Sequence, residues 1–163
     1  MEITETKEVE YAGFWLRFVA HLVDYLVLQI AISIIAMPFI FGMLTAIFSA
    51  AKEIEDETQA IAIVGILLGY VGILSMISII SGWLYYALME SSKQQGTLGK
   101  MALSIKVTDI EGNRISFGRA TGRYFGKIIS TMTIYIGYIM AGFTARKQAL
   151  HDIMSDCLVV KKN

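Results

Sequence analysis

Three ionisable residues stand in an apolar part of the sequence at a spacing that could bring them together. Arg17, His21 and Asp24 are four and three positions apart, so a helix would project all three from one side. A carboxylate inside a membrane costs about 2.5 to 3.5 kcal/mol unless it is paired, hydrated or protonated. Two hypotheses follow. Asp24 pairs with Arg17, His21 or a base from elsewhere and holds helices together, or the three residues form a cation or proton site.

A second group of polar residues lies near the C-terminal end. Its potential metal ligands are His151, Asp152, Asp156 and Cys157. Their spacing does not match a closed metal site, so we expect no metal there. We expect instead that Asp152 caps a short helix or pairs with a base such as Lys100 or Arg123.

A glycine-rich segment between these groups resembles a phosphate loop only in part. The segment contains Gly96, Gly99 and Lys100, but Gln94 stands where the motif needs its first glycine, and Met101 replaces Ser or Thr after the lysine. We therefore expect no nucleotide site. The sequence also lacks the residue patterns of hydrolases, so we predict a protein that is not an enzyme and uses no cofactor.

The elements that must position these residues are long apolar helices. The chain has 163 residues, 55% hydrophobic and 17% charged, which is too apolar for an ordinary soluble domain. It has 27 residues without charge between Asp24 and Lys52, and 32 between Glu57 and Glu90. About 20 suffice for a helical membrane span. We predict an all-α integral membrane protein with two long transmembrane helices, the first bent at Pro38 and joined to the second by a tight outer loop over residues 52–57.

The polar region after the second span is predicted to lie in the cytoplasm. Residues 90–127 contain seven Lys or Arg against three acids, and loops rich in basic residues stay in the cytoplasm. Because two spans precede this region, the N-terminus is predicted to lie on the same side. Alternating apolar and polar residues at 104–109 and 114–117, on either side of turn residues, predict a small β-hairpin. The expected spans are residues 14–51, 58–89 and 118–145, with a cytoplasmic loop at 90–117 and a polar tail at 146–163.

The third apolar segment, residues 128–145, is a helix that either crosses the membrane or enters and returns. Gly137 and Gly142 allow bends, and the return keeps both basic regions inside. We favour the return. Arg119, Arg123 and Lys127 precede the segment at intervals of four, a basic stripe that we expect at the lipid headgroups.

In the second span, glycines recur on one helix face. Gly65, Gly69 and Gly72 have the spacing that lets helix backbones approach closely. We expect this face to pack against another helix, within the monomer or between copies.

Taken together, these residues resemble the RDD family of small bacterial membrane proteins, named for one arginine and two aspartates. Residues 14–18 with Asp24 resemble the family's opening, residues 96–112 its cytoplasmic loop, and residues 150–152 the segment with the second aspartate. The similarity extends from about Phe14 to Val160. The sequence departs from the family pattern at Asp156 and Cys157. The resemblance implies a multi-pass protein of the bacterial inner membrane, and family members have been linked to cation/proton exchange.

Three functions fit these observations. The first is a regulatory or assembly subunit that binds another membrane protein or itself, because three apolar segments can hardly enclose a water-filled path. The alternative is a cation/proton antiporter for Na⁺, Li⁺ or K⁺ that acts as an oligomer. A purely architectural role, with the basic stripe on anionic lipid, is a third. With 14 basic and 14 acidic residues, the chain has no excess charge for nucleic acid.

Overall fold

The protein is mostly helical, with one small sheet. The computed structural model describes residues 9–52 and 56–162. The elements, in chain order, are α1 (Phe14–Ala51), α2 (Glu57–Ser91), α3 (Leu98–Ala102), β1 (Ile105–Asp109), α4 (Phe117–Met132), α5 (Ile136–Ile139), a 3₁₀ turn (Met140–Gly142), α6 (Leu150–Met154) and β2 (Cys157–Lys161).

The two predicted long helices are present. With 38 and 35 residues, α1 and α2 are both apolar and long enough to cross a membrane. At about 1.5 Å per residue each exceeds the roughly 30 Å of a hydrocarbon core. Pro38 does not interrupt α1, which continues through it as one helix. The predicted outer loop falls largely on residues 53–55, outside the described part of the chain.

The chain divides into two compact units. One unit is Leu26–Gly82, the charge-poor parts of α1 and α2; the other contains the described residues before and after it. In Leu26–Gly82 the described residues other than Ala36 are exposed or only partly buried. A Cβ added at Gly65, Gly69 or Gly72 would meet nothing within 4 Å, so the glycine face is not used for packing in this unit.

The predicted β-hairpin is wrong in its second strand. β1 forms, but it pairs antiparallel with β2, so that Val107 lies opposite Val159. Residues 114–116, expected to form the second strand, instead lead into α4, where Ser116 Oγ caps the helix by accepting from Arg119 N. β2 also receives the chain before α1, through a 2.8 Å bond from Ala12 N to the Val159 carbonyl. The sheet thus positions the start of α1.

The third apolar segment is not one continuous helix. α4 ends at Met132, and positive φ angles at Ile134 and Tyr135 separate it from α5. The break therefore precedes Gly137, where the sequence suggested a bend. Gly137 serves close packing instead, because a Cβ there would lie 2.8 Å from Ser130. Within the described residues, α1 and α2 alone have the length and hydropathy of a membrane span.

Arg119 of the predicted basic stripe is exposed, but Arg123 and Lys127 do not face outward as predicted. Arg123 is buried on α4 with Ala120 and Gly126, and the Lys127 side chain is 16% exposed. The apolar side of α4 is the exposed one, with Ile128 at 47% and Met132 at 79%. Arg123 and Lys127 turn inward because carboxylates of other elements lie there, as described below.

Candidate functional site

Asp24 lies in the unit that contains the sheet, where neutral groups surround its carboxylate. The residue is 1% exposed. Thr97 Oγ1 donates to Oδ2 at 2.5 Å, and Gly99 N and Tyr85 Oη donate to Oδ1 at 2.7 and 2.9 Å. Such bonds to an ionised acceptor are among the strong ones. Among the described residues Asp24 forms no ion pair with Arg17, His21 or another base, which was one of the two hypotheses; polar hydrogens from α2 and the start of α3 surround it instead.

The glycine-rich segment makes this arrangement possible. Gly99 packs directly against α1, since a Cβ there would lie well under 3.0 Å from the Ala20 carbonyl oxygen and 3.0 Å from Asp24 Oδ1. Any larger residue would push the Gly99 N–H away from the carboxylate. The segment that partly resembles a phosphate loop therefore binds an anion, the chain's own Asp24.

His21 and Arg17, predicted to share a site with Asp24, have other partners. His21 Nδ1 lies 3.0 Å from Tyr86 Oη. The Arg17 guanidinium donates from Nε to the Ala12 carbonyl at 2.8 Å and from Nη1 to Asp152 Oδ2. Arg17 is thus paired with Asp152, far along the chain, and not with Asp24.

Asp152 joins three elements. It is fully buried, it accepts from the backbone N–H of Ala149 at 3.1 Å and so caps α6, and it binds Arg17 of α1. Arg123 of α4 contacts the same carboxylate from Nε and Nη2, each at 2.7 Å. Both alternatives proposed for Asp152, helix cap and ion pair with Arg123, are present together. Lys100, the other base proposed for Asp152, pairs with Glu90 instead.

Glu90 is the second acidic centre of this network. It is 1% exposed near the end of α2. Arg123 Nη1 lies 2.6 Å from Oε2, Lys100 Nζ lies 2.5 Å from Oε1, and Lys127 Nζ lies 3.5 Å from Oε1. Lys127 also stands over the Tyr86 ring, 3.9 Å from its centre, a cation–π contact. Arg123 therefore bridges the two acids.

This ionic network contains two acids and four bases. Its members are Glu90, Asp152, Arg17, Lys100, Arg123 and Lys127. They come from α1, α2, α3, α4 and α6, so one set of contacts fixes all five elements within the unit. A buried ion pair is costly to break, because the remaining partner stays uncompensated.

Burial and neighbouring charges shift the pKa values within the network. Burial lowers the pKa of the Lys100 ammonium to about 7, although Glu90 opposes the shift. Burial alone would raise the pKa of the Asp152 carboxyl, but the guanidiniums of Arg123 and Arg17 outweigh it and hold that pKa far below its usual range. Asp152 is therefore ionised at neutral pH.

His151 lies beside Asp152 but is neutral. Burial lowers the pKa of its imidazole to about 3, and the cations Arg123 and Lys127 add to the shift. Its Nδ1 lies 3.2 Å from Ser130 Oγ, and its ring lies 5.0 Å from the Tyr138 ring at an interplanar angle of 56°. In the described part of the chain no three potential ligands converge on a metal position.

Sequence reasoning missed Glu90, Thr97 and Tyr85. Glu90 served only as the boundary of a charge-free run, although an acid at the end of an apolar helix needs a partner for the same reason as Asp24. The surplus of basic residues that follows Glu90 in the sequence could have indicated such a partner. Thr97 and Tyr85 carry no comparable signal, because a hydroxyl group is common in both loops and helices.

Comparison with known proteins identifies the family of the chain. A family model described as RDD family matches residues 11–156. The "Uncharacterized protein YxaI" of Bacillus subtilis (strain 168) is 37% identical over 156 residues, covering 93% of this chain and 97% of that protein. The "Uncharacterized membrane protein YteJ" of the same strain is 31% identical, covering 92% and 80%. No solved structure matches. The arginine and two aspartates of the site, Arg17, Asp24 and Asp152, stand in a chain that belongs to the RDD family of membrane proteins.

Proposed function

We propose that this protein is a non-enzymatic subunit that assembles, through the glycine face of α2, with another protein of the same membrane or with a second copy of itself. The observation that carries the proposal is the open space around Gly65, Gly69 and Gly72. In lipid, helix association depends on close backbone approach, and small residues permit it. A face built for such approach but unused in its own unit is available to a partner.

The ionic network supports a structural role for its residues. Each acid binds bases from different elements, and Asp24 is surrounded by hydrogen-bond donors. Groups committed in this way position elements and do not need to bind substrate. The ionic network would thus hold the elements of the unit with the sheet in fixed positions.

The exposed side of α4 favours a membrane position for this unit as well. Apart from Arg119 at its start, its bases face inward while its large apolar residues face outward, the opposite of a helix in water. We infer that α4 and α5 lie in the bacterial cytoplasmic membrane without crossing it. The protein is then multi-pass through α1 and α2, with both termini in the cytoplasm.

Crosslinking in native membranes tests the assembly proposal. Wild-type protein is expected to crosslink to a defined partner or copy, and Gly69→Leu should abolish the product, because a leucine keeps helix backbones apart. Val71→Phe is the matched control, since position 71 lies about 200° around the helix from Gly69 and is 57% exposed. Mass spectrometry identifies the product. Equal crosslinking by Gly69→Leu and wild type would contradict the proposal.

Cation/proton exchange by an oligomer is the second candidate. The observation in its favour is Lys100, whose buried ammonium has a pKa of about 7 and can exchange protons near neutral pH. Against it, the Asp24 oxygens already accept three hydrogen bonds, which leaves them poorly placed to bind a cation. In vesicles, Asp24→Asn and Lys100→Met should each abolish Na⁺ movement driven by a pH gradient if exchange occurs. Unchanged transport in both variants excludes this mechanism.

A further inference from the structure

Two adjoining cavities form an apolar trough beside the start of α1. One, of about 410 Å³, is lined by Ile136 and its neighbours; the other, of about 440 Å³, by Phe14, Trp15 and Lys147. Ile139 and Phe143 line both, so the cavities are neighbours on one surface. We call this surface the α5 trough. All of its lining residues belong to the unit that contains the sheet.

The trough has an apolar body and one cationic end. Phe143 is 86% exposed, Trp15 74% and Ile136 61%, so the body of the trough offers large apolar side chains to its surroundings. Lys147 is the charged residue among those that line the trough. Its ammonium donates to the Gly142 carbonyl at 3.1 Å, and none of the residues that line the trough is acidic.

The position of α1 adds to the positive potential at the same end. α1 begins at Phe14, and Gly13, Phe14 and Trp15 all line the cavity with Lys147. The first backbone N–H groups of a helix have no partner within the helix, and its dipole favours a negative charge there. Lys147 and the α1 terminus thus favour an anion at one end of an otherwise apolar surface.

We propose that the α5 trough binds one anionic phospholipid, with an acyl chain along Ile136, Ile139 and Phe143 and the phosphate at Lys147. Charge complementarity selects this occupant. A zwitterionic lipid would gain the apolar contact but would bring its own cation towards Lys147. The proposal is independent of the glycine face, which lies in the other unit.

Quenching of Trp15 by brominated lipid tests the proposal. The full chain has two tryptophans, so Trp83→Phe leaves Trp15 as the reporter. In nanodiscs that contain an equal minor fraction of brominated phosphatidylglycerol or brominated phosphatidylcholine, the anionic lipid should quench more strongly. One lysine near an anionic lipid contributes about 1 kcal/mol, so we expect a preference of about fivefold.

Matched charge variants locate the site. Lys147→Gln should remove the preference, whereas Arg146→Gln, a neighbouring base that does not line the trough, should retain it. Equal quenching by both lipids, or equal loss in both variants, would show only ordinary boundary lipid and would overturn the proposal. Displacement by soluble glycerol phosphate would also overturn it, because the site would then bind a free anion.

A second measurement does not depend on the tryptophan variant. Native mass spectrometry of the chain with both tryptophans should detect one retained phosphatidylglycerol, lost in Lys147→Gln and kept in Arg146→Gln. Retention of both lipids in equal amounts counts against the α5 trough as a selective site.

Discussion

Gly99 is the residue at which the smallest chemical change should have the largest structural effect. A Cβ at this position would approach both the Ala20 carbonyl oxygen of α1 and the Asp24 carboxylate. Because one of these neighbours is backbone of a long helix, it cannot move aside as a flexible side chain can. Gly99→Ala must therefore shift the start of α3 away from α1.

The cost follows from two terms. Forcing a methyl group into a packed contact costs about 1 to 3 kcal/mol. The shift also lengthens the 2.7 Å bond from Gly99 N to Asp24, and a hydrogen bond to a charged group contributes about 1.5 to 3 kcal/mol. We expect Gly99→Ala to lower the free energy of unfolding by the sum of the two, about 2.5 to 6 kcal/mol.

The assay is unfolding of the full chain in mixed micelles, followed by the fluorescence of Trp83, which packs near Phe117 and Phe125. Gly122→Ala is the control. Gly122 lies within α4, a Cβ there would meet nothing within 4 Å, and alanine is the better helix former by about 1 kcal/mol. This control should be neutral or stabilising. If Gly99→Ala proves as stable as Gly122→Ala, the close contact between α3 and α1 is wrong.

Three further predictions concern the buried polar groups. Asp152→Asn should destabilise the protein by about 3 to 5 kcal/mol in the same unfolding assay, because it leaves buried guanidiniums without their carboxylate; Asp156→Asn, which is exposed, should change stability by less than about 0.5 kcal/mol. His151 has a folded pKa of about 3 against an unfolded pKa of about 6.5, so the unfolded state binds the proton first, and stability should fall by up to about 1.4 kcal/mol per pH unit as pH drops below about 6.5. Comparing unfolding at neutral and mildly acidic pH measures this, and an equal pH dependence in His151→Gln would refute the assignment. Thr97→Val should cost about 1.5 to 3 kcal/mol by removing a hydrogen bond to Asp24, and Thr97→Ser should recover most of the loss; equal stability of the two variants would contradict this geometry.

The long helices and the membrane character could be predicted from the sequence because they depend on local composition. A charge-free run longer than a bilayer is thick must be helical in lipid, where each backbone group needs a partner in its own segment. Arg17 and Asp24 were identified for a similar reason, since an isolated charge in an apolar segment is conspicuous. Arg123 was named among the possible partners of Asp152, but the partners of Arg17 and Asp24 were not identified.

Pairing required the tertiary structure because it joins residues far apart in the chain. β1 binds a strand some fifty residues away, and a local alternation of apolar and polar residues could not distinguish that partner from a nearby one. The direction of the α4 faces was also undetermined. A helix with one basic and one apolar side places either side inward, depending on whether water or lipid surrounds it.

Arg123 shows most clearly what the sequence determines and what requires the tertiary structure. Its sequence spacing with Arg119 and Lys127 correctly indicates a charged side of a helix, but that spacing is the same whether the side meets lipid headgroups or buried acids. Only the placement of Glu90 and Asp152 beside it decides between them, because the energy of a charge depends on what lies within a few ångströms of it and hardly at all on its neighbours in sequence.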